Sequence, residues 1–334
     1  MQLHGGVSRP VPRRRGTGAI GTLAGDEQIY VLPLSWADAP WWSDAQVESV
    51  NLILDRLKRT YNVDENRMAL AGVSDGGTGA FYLAMRDTTP FAAFLPLNAY
   101  LMVLAHPALE IFEDLYVNNL LNKPFFVVNG GLDPLYPAPV VEPFVRHLQR
   151  GGVVLDYHPQ PEAAHNTAWW PEMKETFEAF VRSHPRDPLP AKLTWQTDRR
   201  GPLDATSRAH WLVIDTLAAP GAGARLPDLN DFGRGGARPL FVRRRPSGRV
   251  DLVREGNTVR ATTSGVAGFT LLLSPGAFDF GRPITVIADG RTLFDARVDR
   301  SVATLLKWAA RDNDRTLLVG AELRIVAPPD RRAP

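Results

Sequence analysis

Gly72-Val73-Ser74-Asp75-Gly76 sets one hydroxyl between two glycines, a pattern suited to a nucleophile held at the top of a turn. A serine raised on a tight, strained corner brings its neighbours against other backbone. The positions two before and two after it must then be almost free of side chain. The hydroxyl attacks only when a base removes its proton, and the base needs an acid to hold one tautomer. His165, in Pro161-Glu162-Ala163-Ala164-His165-Asn166, is the candidate base, and Asp133, in Gly130-Gly131-Leu132-Asp133-Pro134, the candidate acid. His158 is a rival, but it falls at a strand end, before a loop could deliver it. Asp114 and Asp156 fall in helical and strand patterns. Two further groups are needed, backbone amides aimed at a developing oxyanion. Asp75 offers one, and Gly6 of His4-Gly5-Gly6 the other, with Gly5 lining the substrate side.

The elements that would carry these residues alternate between strand and helix. Gln2–Leu3 reads as the tail of a strand, Gln28–Leu34 as a buried strand, and Met68–Ala71 as the strand leading into the elbow. Phe94–Asn98, Phe125–Asn129 and Val153–Tyr157 follow. Helices are expected from Ser43, where Gln46 completes a capping box, after Ser74, over Pro139–Gln149 and over Trp170–Ser183. Tyr100–Asn122 has a largely helical pattern, with Leu109, Phe112, Leu115 and Leu120 inward, and would serve as a partial lid. Such alternation predicts a mostly parallel sheet with helices on both faces. In that order nucleophile, acid and base each sit at the carboxyl end of a later strand than the one before. Gly16–Gly25 reads as irregular.

The motifs His4-Gly5-Gly6 and Gly72-Val73-Ser74-Asp75-Gly76-Gly77, with Asp133 and His165, resemble α/β-hydrolase esterases related to polyhydroxybutyrate depolymerases and feruloyl esterases, and prolyl-oligopeptidase-like esterases. The resemblance covers about residues 1–190. It implies a doubly wound α/β-hydrolase sheet, with Ser74 as nucleophile, His165 as general base and then acid, Asp133 as orienting acid, and the Gly6 and Asp75 amides as oxyanion donors. It also implies that the sheet is N-terminally truncated or lacks an edge, because that fold places two or more strands before the His-Gly-Gly loop. A start upstream of Met1 would carry those strands and a secretion signal. Secreted or periplasmic location is expected in that case, and cytoplasmic location otherwise.

Past a linker at 185–191, marked by Pro185, Pro188 and Pro190, the pattern changes. Short β-type segments with turn residues between them run from Lys192 to Val326, so residues 192–330 are expected to form a β-sandwich after a catalytic domain at 1–184. Asp289-Gly290 marks a hairpin turn, and Ser301–Ala310 one helix. An accessory role is expected, since no strand carries an aromatic strip.

Composition narrows the chemistry. The 334 residues have no cysteine, which excludes disulfide scaffolds and thiolate sites, and the net charge is only +2. Arg13–Arg15 and Arg243–Arg245 lack interleaved aromatics, so no nucleic-acid partner is expected. No apolar run is long enough to span a membrane. No metal or cofactor is expected. Trp36, Trp41, Trp42, Trp169 and Trp170, with Tyr100 and Tyr136, are expected at the rim of the site, where aromatics suit aryl, sugar or polymeric esters. A homodimer is a further expectation. Three activities fit: ester hydrolysis, peptide hydrolysis on the same fold, or binding without catalysis.

Overall fold

The computed structural model describes residues 1–6, 28–34, 40–109, 111, 114–198, 205–219, 222–233 and 238–326. The expected irregular stretch Gly16–Gly25, Trp36 and Phe112 lie outside these residues.

The first half is built on five parallel strands in sequential order: β1 (Gln2–Leu3), β2 (Ala69–Val73), β3 (Ala93–Leu97), β4 (Phe125–Gly130) and β5 (Leu155–Gln160). Successive side chains of a strand point to opposite faces, so each strand feeds two cores. Leu70, Phe94, Phe125 and Val127 join the cluster made with α1 (Asp44–Thr60), α2 (Asp75–Arg86) and α3 (Ala138–Arg150). Ala71, Val73, Leu95, Leu97, Phe126 and Val128 instead meet α4 (Trp170–Ser183) through Met173, Phe177 and Phe180. Ser43 caps α1, its side chain accepting from the Gln46 amide. Gly152 takes a positive φ of 96° just past the end of α3.

Two segments depart from expectation. Gln28–Leu34 forms no strand, and Ile29 and Leu34 are exposed. The strand beside it, β1, is only two residues long; the Gln2 amide donates to the Val31 carbonyl at 2.8 Å, and the Tyr30 hydroxyl donates to Gln2 Oε1. The stretch 100–122 is not a long helix. Its described residues hold three short 3₁₀ turns, Leu101–Ala105, Pro107–Leu109 and Val117–Asn122. Pro107 cannot donate to a helical ladder, and Asn118, Asn119 and Asn122 use their side chains on the second half of the chain. Leu115 and Leu120 are buried as expected, whereas Leu109 is only partly so. The second part of this segment packs beneath Thr194 and Gln196, which removes it from any lid. Asp114, expected in a helix, lies in irregular chain, where its carboxylate accepts from the Arg244 and Arg245 amides.

The second half contains two larger sheets. One has the order β15-β14-β12-β11-β6, using β6 (Lys192–Thr197), β11 (Gly248–Glu255), β12 (Thr258–Ser264), β14 (Ile284–Ala288) and β15 (Arg291–Ala296). The other has the order β16-β13-β8-β7, using β7 (Arg208–Ala209), β8 (Leu212–Leu217), β13 (Val266–Leu273) and β16 (Ala321–Val326). Trp195, Val250, Val259 and Val286 of the first share one core with Ile214, Phe269, Leu271 and Ile325 of the second. The expected strand at Ala209–Thr216 is broken at His210, whose φ is 50°. Asp289 and Gly290 both take positive φ between β14 and β15, as a tight hairpin turn requires. A small hairpin, β9 (Asp231–Phe232) with β10 (Arg238–Pro239), returns to the first half, and α5 (Val302–Asp312) lies before β16.

Candidate active site

The corner between β2 and α2 holds Ser74 at φ 56°, ψ −120°, a backbone that a residue with a side chain adopts only under strain. The flanking glycines explain how the corner closes. A Cβ at Gly72 would lie 2.1 Å from the Gly76 carbonyl oxygen, and a Cβ at Gly76 would lie 2.1 Å from the Leu3 carbonyl oxygen. A Cβ on Gly77 would lie 2.6 Å from the Cβ of Ala99, and one on Gly79 would lie 2.4 Å from the Cβ of Trp41.

The loops after β4 and β5 meet over this corner. His165 Nε2 lies 2.9 Å from Ser74 Oγ, and His165 Nδ1 lies 2.7 Å from Asp133 Oδ2. The carboxylate can only accept, so Nδ1 donates to it and Nε2 is left to accept the Ser74 proton. Asp133 is buried, and its other oxygen accepts from the Leu135 and Tyr136 amides at 2.8 and 3.0 Å. These bonds fix the acid on its own loop. Glycines again allow the approach: a Cβ on Gly130 would lie 2.3 Å from the Ala163 carbonyl oxygen, and one on Gly131 would lie 2.3 Å from that of Pro161. The Gly131 and Leu132 amides donate to the Gln160 and Ala163 carbonyls, tying the loop of Asp133 to that of His165. His158 is elsewhere. Its ring packs at a tilt against Phe126, 4.4 Å between centroids, on the side of the sheet covered by α4, and burial lowers its pKa.

The His4-Gly5-Gly6 loop runs beside the elbow. A Cβ on Gly5 would lie 3.1 Å from Ser74 Cβ and 3.7 Å from Ser74 Oγ, and Gly6 takes φ 71°. Asp75 opens α2 directly after Ser74. Tyr136 stands edge-on to the His165 ring at 5.6 Å. Burial raises its hydroxyl pKa, and the nearby Asp75 and Asp133 carboxylates add to the rise. Tyr100, pushed up to about 12 by burial, lies 6.3 Å from Tyr136 ring to ring.

The four described tryptophans of the expected rim do not form it. Trp41, Trp42 and Trp169 are buried, as is Trp170 on α4, and large apolar rings gain more from the core than from water. Trp41 has a different task. Its indole Nε1 donates to the His4 carbonyl at 2.8 Å, and its ring meets that of His4 edge-on at 5.2 Å. It therefore braces the loop beside Ser74. Asn98 and Asn129 were not anticipated either. Asn98, at φ 46°, donates to the Asn166 carbonyl at 2.7 Å, and Asn129 donates to the Ala99 carbonyl at 3.1 Å. Their one sequence signal is an amide side chain at the carboxyl end of an apolar strand.

Among the described residues no group of acidic, cysteine or histidine side chains could hold a metal ion, and no helix is long and apolar enough to cross a membrane. No protein-family model matches the chain, and no curated protein matches it. Among solved structures it is similar to Arabidopsis thaliana SOBER1, with 13% identity over 42% of this chain and 63% of that one, at a TM-score of 0.32. It is also similar to esterase PE8, with 17% identity over 55% of this chain and 90% of that one, at 0.34. A third is the acylaminoacyl peptidase of Pyrococcus horikoshii, with 13% identity over 41% of this chain and 27% of that one, at 0.33. The chain thus spans under two thirds of the first of these. The contacts of Ser74, His165 and Asp133, rather than these likenesses, carry the functional reading that follows.

Proposed function

We propose that the chain is a serine hydrolase of the α/β-hydrolase type that cleaves carboxylic esters through an acyl-enzyme on Ser74. One observation carries the reading: Oγ of Ser74, the imidazole of His165 and the carboxylate of Asp133 form one hydrogen-bonded line of 2.9 and 2.7 Å. In this reading Oγ attacks the ester carbonyl carbon while Nε2 takes its proton. The amides of Asp75 and Gly6 stabilise the oxyanion, and the closeness of Gly5 to Ser74 supports that assignment. The acyl–oxygen bond then breaks, and the leaving alkoxide takes the proton from Nε2. A water molecule, deprotonated by the same nitrogen, hydrolyses the acyl-enzyme and restores Ser74. Neither step calls for a metal or cofactor.

Residues 1–184 would be the catalytic domain, 185–191 a linker and 192–330 an accessory β-sandwich. The two sheets that share a core support the last assignment. The test compares wild type with Ser74→Ala on 4-nitrophenyl acetate and on the matching anilide, with fluorophosphonate labelling in parallel. Wild type is expected to hydrolyse the ester, and Ser74→Ala to lose on the order of 10³-fold or more together with the label. Equal rates in the two proteins would overturn the reading. Faster turnover of the anilide would make the protein a peptidase.

A further inference from the structure

Aromatic rings extend from the catalytic imidazole to the second half of the molecule. Tyr136 meets His165 at 5.6 Å, Tyr100 meets Tyr136 at 6.3 Å, Phe144 meets Tyr100 at 5.2 Å, and Phe232 stacks on Phe144 at 4.5 Å with the ring planes 6° apart. All four rings are only partly buried. Phe232 belongs to β9, so the last ring comes from beyond the linker. It alone of the four rings borders a surface cavity of about 480 Å³, whose other lining is Glu142, Pro143, Arg146, His147, Arg150 and Gly233. The near end is fixed by the triad itself, because the Tyr136 amide holds Asp133 while its ring faces His165.

This inference rests on the serine-hydrolase reading above. An ester's leaving oxygen must come within hydrogen-bonding reach of Nε2 to receive its proton. The group attached to that oxygen therefore passes beside the imidazole, where Tyr136 stands. We propose that the run Tyr136–Tyr100–Phe144–Phe232 is the alcohol-side subsite, selecting esters of extended arylalkyl alcohols, with Phe232 supplied by the second half of the chain. Aromatic faces stack on an aryl group with a preference for offset and edge-on geometry. Pocket contacts of this size discriminate by roughly 10–200-fold.

The experiment measures kcat/KM for methyl acetate, benzyl acetate and 4-phenylbutyl acetate, whose alcohols differ mainly in reach. The proteins are wild type, Tyr136→Leu, Phe232→Ala, Phe232→Leu and Ser74→Ala. Wild type is expected to prefer 4-phenylbutyl over methyl acetate by about tenfold or more. Phe232→Ala is expected to erase most of that preference through KM while keeping the benzyl-to-methyl ratio, and Tyr136→Leu to lower both ratios. Phe232→Leu, which keeps an apolar side chain, guards against a packing defect, and it is expected to reduce the preference at an unchanged melting temperature. If wild type turns over methyl acetate in a Ser74-dependent way but both ratios survive Phe232→Ala and Tyr136→Leu, the subsite is wrong and the hydrolase reading stands. A loss of melting temperature without any change in the ratios would likewise assign these rings to packing alone. If no ester is hydrolysed, the hydrolase reading falls and the subsite with it.

Discussion

The corner around Ser74 and the seam between the two halves are both crowded, but they are closed by opposite means. At the corner, backbone meets backbone. Gly72 contacts Gly76, Gly76 contacts Leu3, and the two loops carrying Asp133 and His165 touch through Gly130 and Gly131. Contact is possible because side chains are missing. Along the seam, charged side chains fill the space. Arg315 pairs with Glu65 at 2.8 Å, Arg186 with Asp314 at 2.7 Å, and Lys58 donates to the Asp312 carbonyl at 3.2 Å, while Asn119 and Asn122 bond β6. Burial tends to raise the Asp314 pKa, but the charge of Arg186 and the Thr316 donors outweigh it, leaving that carboxyl below its ordinary value. The seam also buries Lys123 and His210. Burial, with the charge of Arg186 adding to it, lowers the Lys123 amine well below its usual range, and burial, with Lys123 and Arg186 adding to it, does the same to the His210 imidazole. A site made of backbone tolerates no added atom. A seam made of side chains is held by paired charges against the cost of desolvation, and removing one partner of Arg186–Asp314 would leave the other buried and unpaired.

The sharpest way to break this comparison is Gly76→Ala, because its Cβ would sit 2.1 Å from the Leu3 carbonyl oxygen and must displace either β1 or the elbow. Esterase kcat/KM should fall by about 100-fold or more, and an alanine variant within threefold of wild type would mean that the corner is not backbone-limited. Trp41→Phe acts less directly. It leaves the His4 carbonyl without its 2.8 Å donor, an omission costing about 1–3 kcal/mol. We expect a drop in kcat of about tenfold, through the oxyanion loop, with KM little changed. A change confined to KM would instead return Trp41 to the substrate rim.

The smallest effect concerns the seam. The folded-state pKa of Lys123 lies below its unfolded value, so the unfolded chain binds the proton more tightly. Stability should therefore rise with pH up to about 10.4, where the unfolded amine also loses its proton. The melting temperature of wild type should increase between pH 7 and pH 9. Lys123→Met should be more stable at pH 7, by about 1–3 kcal/mol, and show a weaker rise. A lower melting temperature for Lys123→Met at pH 7 would show that the buried amine is a net stabiliser.

That Ser74, Asp133 and His165 would meet was legible because each requirement is local in sequence. A strained corner needs glycines two residues either side, and a loop that must reach another backbone needs Gly130-Gly131 within three residues of its acid. The same holds for α4, whose apolar face is periodic, and for the Asp289-Gly290 turn. Trp41 was misread as a rim residue because indole in a loop looks the same whether it faces solvent or braces the His4 carbonyl. The stretch 100–122 was misread because Asn118, Asn119 and Asn122 find partners more than 70 residues away, on Gln196 and Thr194. The sequence by itself determined which residues could be nucleophile, acid and base, and the order in which strands would deliver them. Tertiary structure alone decided which aromatics are buried, which rings continue from His165 to Phe232, and which charges meet across the seam. Backbone constraints are written in neighbouring residues, whereas side-chain partners are chosen by the fold.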